Sequence, residues 1–121
     1  MLYNRGVVNA MIVVEAIRAA QEIHGQQPLT GEQVRDGLEA LEIDEARLAE
    51  LGMSDFTPPL KVTCADHEGD HAVRVQQWDG KKWEFVSDWI TPMKDVVRPM
   101  IEDSAAKYAE ENGITPRDCA S

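Results

Sequence analysis

Long apolar runs are missing from this 121-residue chain. No window approaches the roughly 18 uninterrupted apolar residues that a membrane span requires. The richest run, Val7 to Val14, is broken by Asn9. Only Arg5 precedes that run and no small-residue cleavage site ends it, so no export signal is expected at the N-terminus. Basic residues are also scarce, 12 against 22 acidic ones, for a formal net charge of −10. Such a balance argues against a nucleic-acid backbone as partner, because phosphate binding needs a basic face. It also disfavours adhesion to anionic lipid. An acidic surface is first a solubility device and names no partner. Cysteine is limited to Cys64 and Cys119, without a CxxC spacing, so cysteine usage does not decide the compartment. Internal repeats and low-complexity tracts are absent. What remains is a hydrophobic share of 43%, that of a globular chain of one-domain length with a modest core.

From Asn4 to His24 apolar residues recur at three- and four-residue steps (Val7, Ala10, Met11, Val14, Ile17, Ala20). Val8, Ile12, Val13, Ala16 and Ala19 widen this stripe until the helix is apolar on most sides and wants neighbours on most sides. Gly25 is a plausible cap for its end. Thr30 followed by Gln33 is a capping-box signature that opens a second helix through about Leu41. Residues 43–51 read as a third, short helix stopped by Gly52. After Pro58 and Pro59 the period changes to that of strands. Leu60–Cys64, Ala72–Trp78 and the return through Trp83, Phe85 and Ser87 predict a small antiparallel meander, with Asp79-Gly80 as its tight turn. A last helix over Lys94–Asn112 would turn Val97, Met100, Ile101, Ala105 and Tyr108 inward, with Gly113 as its cap. The fold expected is α+β, three to four helices with a small antiparallel β-meander. No strand-helix-strand series completes a doubly wound sheet. One partial domain is expected over 1–121, helical over 1–58 and carrying the strands and final helix over 59–121.

His67-Glu68-Gly69-Asp70-His71 matches H-E-x-x-H, in which two histidines hold zinc and the glutamate polarises the attacking water. That chemistry needs a helix to bring both imidazoles to one face. Here the flanks are strand-like and Gly69-Asp70 sits inside the motif as a turn would. A solvated turn is therefore expected, with His67 and His71 as the metal ligands of the alternative, a zinc-dependent hydrolase. Cys64 and Cys119 would form a disulfide in an exported protein, closing a loop of roughly 55 residues, or stand as two small thiols. Trp78, Trp83, Trp89 and Phe85 are expected to form the core of the small sheet and its seal against a helix, rather than a binding groove. No catalytic residue and no cofactor emerges, and the chain is not expected to be an enzyme.

The order of these segments carries a resemblance. Tyr3-x-x-Gly6 leads into NAMIVVEAIRAA, then TGEQVRDGLE, then the turn from Cys64 with Asp66-x-x-Gly69, then VRVQQWDGKKW. Ser87-Asp88-Trp89 and Pro116-Arg117-Asp118-Cys119 close the series. In this order the chain resembles the C-terminal segment of a periplasmic solute-binding protein of the branched-chain amino-acid type, the type I receptor of an ABC importer. The resemblance implies a partial version of that two-lobed fold, lacking most of its parallel sheets, and a periplasmic location. It implies leucine or a related small solute as ligand of a longer parent, with an ABC permease as partner. An aromatic before the first helix contacts ligand in some members, which singles out Tyr3. The isolated chain, short of one cleft wall, is expected to bind no such amino acid tightly. With its first helix uncovered, it is expected to form a homodimer.

Overall fold

A computed structural model describes residues 2–69 and 72–119. The chain forms two compact units, Met1–His71 and Ala72–Ser121. Four helices and two separate two-stranded antiparallel sheets make up its regular structure among the described residues.

The first unit is built on α1 (Leu2–His24) and α2 (Gly31–Glu39), which pack against each other. The capping box at the start of α2 is formed in both directions. Gln33 N–H donates to Thr30 Oγ1 at 3.3 Å and Thr30 N–H donates to Gln33 Oε1 at 2.9 Å, satisfying two otherwise unpaired donors. The helices meet at Gly37, where a Cβ would overlap the Ala16 carbonyl oxygen and lie 2.6 Å from the Ala20 Cβ. Glycine is what lets the two backbones approach so closely.

The stretch expected as a helix over 43–51 divides. Glu42–Ile43 form a strand, β1, and Asp44 then caps α3 (Glu45–Glu50) by accepting from Arg47 N–H at 2.7 Å. β1 pairs with β2 (Leu60–Lys61), Glu42 opposite Lys61 and Ile43 opposite Leu60. Val62 N–H extends the ladder to the Leu41 carbonyl at 3.0 Å. This pairing draws residues 60 onward into the first unit. The core it closes consists of Leu41, Ile43 and Leu48, with Met11, Ile12, Leu38, Met53 and Leu60 packed against them.

The second unit holds the hairpin β3 (Gln76–Trp78) and β4 (Trp83–Phe85), then α4 (Lys94–Glu111). Asp79 Oδ1 accepts from the Lys81 and Lys82 N–H groups at 2.7 and 2.8 Å, and Gly80 takes φ +102° in the connecting turn. These two backbone donors, Lys82 foremost, hold the Asp79 carboxyl below its ordinary pKa. The expected single meander is thus two sheets, because β2 finds its partner in β1 and not in the hairpin. The hairpin aromatics do not seal a core either: Trp78, Trp83 and Phe85 are 50%, 64% and 51% exposed. No residue of α4 is buried, and the residues expected to face inward (Val97, Met100, Ile101, Tyr108) stand open. Fifty residues with one short hairpin do not supply enough surface to cover an 18-residue helix.

Candidate functional site

The strongest electrostatic feature lies on the C-terminal half of α1. Glu15 is only 9% exposed, although it sits in a helix otherwise dominated by apolar residues. Arg47, on α3, reaches back across 32 positions and grips it with both arms of its guanidinium. Nε donates to Glu15 Oε2 at 2.8 Å and Nη2 to Glu15 Oε1 at 2.9 Å. The remaining Nη1 donates to Glu50 Oε2 at 2.7 Å. Arg18 stands 3.9 Å from Glu15. The hydrogen bonds from Arg47 outweigh the opposing effect of burial and hold the Glu15 carboxyl below the usual carboxylate range. Arg47 is pushed upward by the same partners and stays charged.

This pair floors an open cleft of about 380 Å³, rimmed by Arg18, Glu22, Glu42 and Asp44. Four of its polar groups already have work within the chain. Asp44 caps α3, Glu42 accepts from Lys61 Nζ at 2.8 Å, and Glu15 and Arg47 satisfy each other. A carboxylate held ionised by a bidentate arginine is a poor general base, since proton uptake would break both bonds. The arrangement ties α3 to α1. In the sequence its one signal is a glutamate set among Val13, Val14 and Ala16 on an apolar helix.

The zinc alternative gains no support from the local geometry. Residues 63–69 form a turn: Thr63 and Asp66 bridge, and Asp66 Oδ1 accepts from Glu68 and Gly69 N–H at 3.0 and 3.3 Å. Gly69 takes φ +73° with Leu60 against it, so the described part of the motif, His67 to Gly69, is not helical. His67 Nε2 instead lies 3.1 Å from Glu39 Oε1, and His71 lies outside the described residues. No group of three or more His, Cys, Asp or Glu placed to hold a metal occurs among the described residues. Tyr3 opens α1 and is 82% exposed, with no polar group of the cleft beside it. Cys64 and Cys119 are both disulfide-bonded, so neither is a free thiol. Arg74 stacks its guanidinium 4.0 Å over Phe85 and 5.3 Å over Trp89, a cation–π pairing that accounts for part of the aromatic cluster. Trp78 and Trp83 face each other at 5.7 Å with planes tilted by 57°.

No protein-family model matches the chain, and no curated protein does. A crystal structure of an ABC transporter permease from the Pseudomonas fluorescens group is similar over 97% of this chain, at 50% identity and a TM-score of 0.91. The chain spans 28% of the length of that protein. The match corrects the resemblance drawn from the order of elements, since the similar protein is an ABC transporter permease and not a periplasmic solute-binding protein. The receptor role for leucine and other branched-chain amino acids falls with it. The inference of a periplasmic location loses the same support. A short series of helices, turn and hairpin is a loose signal that different proteins share. Neither alternative gains from the match, the hydrolase nor the self-associating module.

Proposed function

We propose that the chain is a non-catalytic portion of an ABC-transport protein, lying outside the lipid bilayer and working through contacts with other parts of the transporter. The observation that carries this reading is the 50% identity over 97% of the chain to the permease structure, at a TM-score of 0.91. A position outside the bilayer is supported by the helices, none of which is long and apolar enough among the described residues to cross a membrane. Oxidised cysteines favour the side of the membrane where disulfides persist. The acidic surface, at net charge −10, is suited to water and repelled by anionic headgroups. Cross-linking in living cells, with the chain carrying an affinity tag, tests the reading. The expected result is recovery of a transporter subunit with membrane-spanning helices. Efficient cross-links that never include a transporter subunit would sink it.

A further inference from the structure

Three side-chain carbonyls of this chain are followed by glycine at the right distance to react with it: Asp36-Gly37, Asp79-Gly80 and Asn112-Gly113. Glycine has no side chain to keep its backbone nitrogen away from the carbonyl carbon before it. The surroundings treat the three differently. Gly37 is buried inside α2, against Ala16 and Ala20, and its nitrogen is fixed in the helix. The Asp79 carboxylate accepts from two backbone N–H groups and is held ionised, and a carboxylate anion is a poor electrophile. Asn112 carries a neutral amide instead, and both it and Gly113 are exposed. Its Nδ2 donates to the Tyr108 carbonyl at 2.8 Å, while its Oδ1 accepts nothing among the described residues. The amide carbon therefore stands open to attack.

Only the helix cap restrains the attacking nitrogen. Gly113 N–H donates to the Glu110 carbonyl at 3.3 Å and Ile114 N–H to the Ala109 carbonyl at 2.9 Å, with Gly113 at φ +62°, a Schellman end. No residue of α4 is buried, so no packing backs these bonds. Helix ends of this kind open at little cost in free energy.

We infer that Asn112-Gly113 is a self-modification site, where the chain converts Asn112 to aspartate and isoaspartate. The Gly113 nitrogen bonds to the Asn112 side-chain carbonyl carbon, the bond to Nδ2 breaks, and ammonia leaves with the Gly113 proton. Water then opens the cyclic imide. Attack at the side-chain carbonyl gives aspartate, and attack at the main-chain carbonyl gives isoaspartate, whose backbone runs through the former side chain. Either product sets a negative charge at the C-terminus of α4, after Glu110 and Glu111, where the helix dipole is already negative. Isoaspartate also lengthens the main chain between the partners of the cap. The last turn of α4 should unwind. This chemistry is independent of any role in transport.

Ageing the 121-residue chain in mildly alkaline buffer, followed by peptide mapping, tests it. The peptide holding Asn112 should show the mass gain of an amide turned acid, and an isoaspartate-specific methyltransferase should label it. The rate should lie within about tenfold of that in a free peptide spanning residues 108–117, because a fraying cap protects little. A slower rate than that, or isoaspartate arising first at Asp36 or Asp79, would overturn the inference. Asn112→Gln, which closes such a ring far less readily, should keep its far-ultraviolet helical signal while the aged wild type loses part of it. Equal loss in the two proteins would count against the unwinding of α4.

Discussion

Glu15 is the residue whose chemistry depends most on its surroundings. Its carboxyl is held below the ordinary value of about 4.3, chiefly by the hydrogen bonds from Arg47. A carboxylate depressed in the folded state adds stability that is complete above its unfolded pKa, and that stability is lost as pH falls through the folded value. Glu15→Gln should therefore melt at a lower temperature than the wild type at pH 7, and the gap should close below about pH 4. Thermal melts at pH 7, 5 and 3 measure this directly. A gap that does not change with pH would mean that shape, and not charge, holds Arg47 in place. The sequence hints at the residue and not at its partner, because nothing local links position 15 to position 47.

Among the elements, the contact of α1 with α2 is the most sensitive to a single atom. Replacing Gly37 by alanine puts a methyl group against the Ala16 carbonyl and the Ala20 side chain, both of them backbone-anchored and unable to swing aside. Overpacking of this kind costs about 1–3 kcal/mol, against a helix-propensity gain of about 1 kcal/mol. Net destabilisation is expected, read as a lower urea midpoint. Gly31→Ala, at the open start of the same helix, adds a methyl with nothing within 4 Å and should leave the midpoint unchanged or raise it. Equal effects at the two glycines would show that propensity decides, and not the close approach. Helix ends were readable beforehand, since Thr30, Gln33 and Gly113 act on neighbours within a few residues. β1 was not. Its two residues are a strand only because Leu60–Lys61 lie alongside.

For the molecule as a whole, the two cysteines are the covalent constraint. They are the only two in the sequence and both are disulfide-bonded. A bond between Cys64 and Cys119 is the pairing we propose, and a loop of roughly 55 residues closed in this way would contribute about 4 kcal/mol in the chain-entropy model. Non-reducing peptide mapping should recover the two cysteine peptides joined, and reduction should lower the melting temperature. Disulfide-linked dimers on a non-reducing gel, with no internal link, would refute the pairing.

The sequence alone determined what depends on residues close together along the chain. The capping box at Thr30, the Asp79-Gly80 turn, the helical period of α1 and α4, and the turn that disarms the His67 motif all follow from hydrogen bonds or sterics spanning about four residues. Tertiary structure decided what joins distant segments: the β1–β2 ladder, the grip of Arg47 on Glu15, and the separation of two sheets where one meander was expected. It also decided which apolar residues stay in water, since period marks a stripe as apolar but only the surrounding chain covers it. The family reading failed for the same reason. An order of short elements constrains local conformation tightly and the larger protein around it hardly at all.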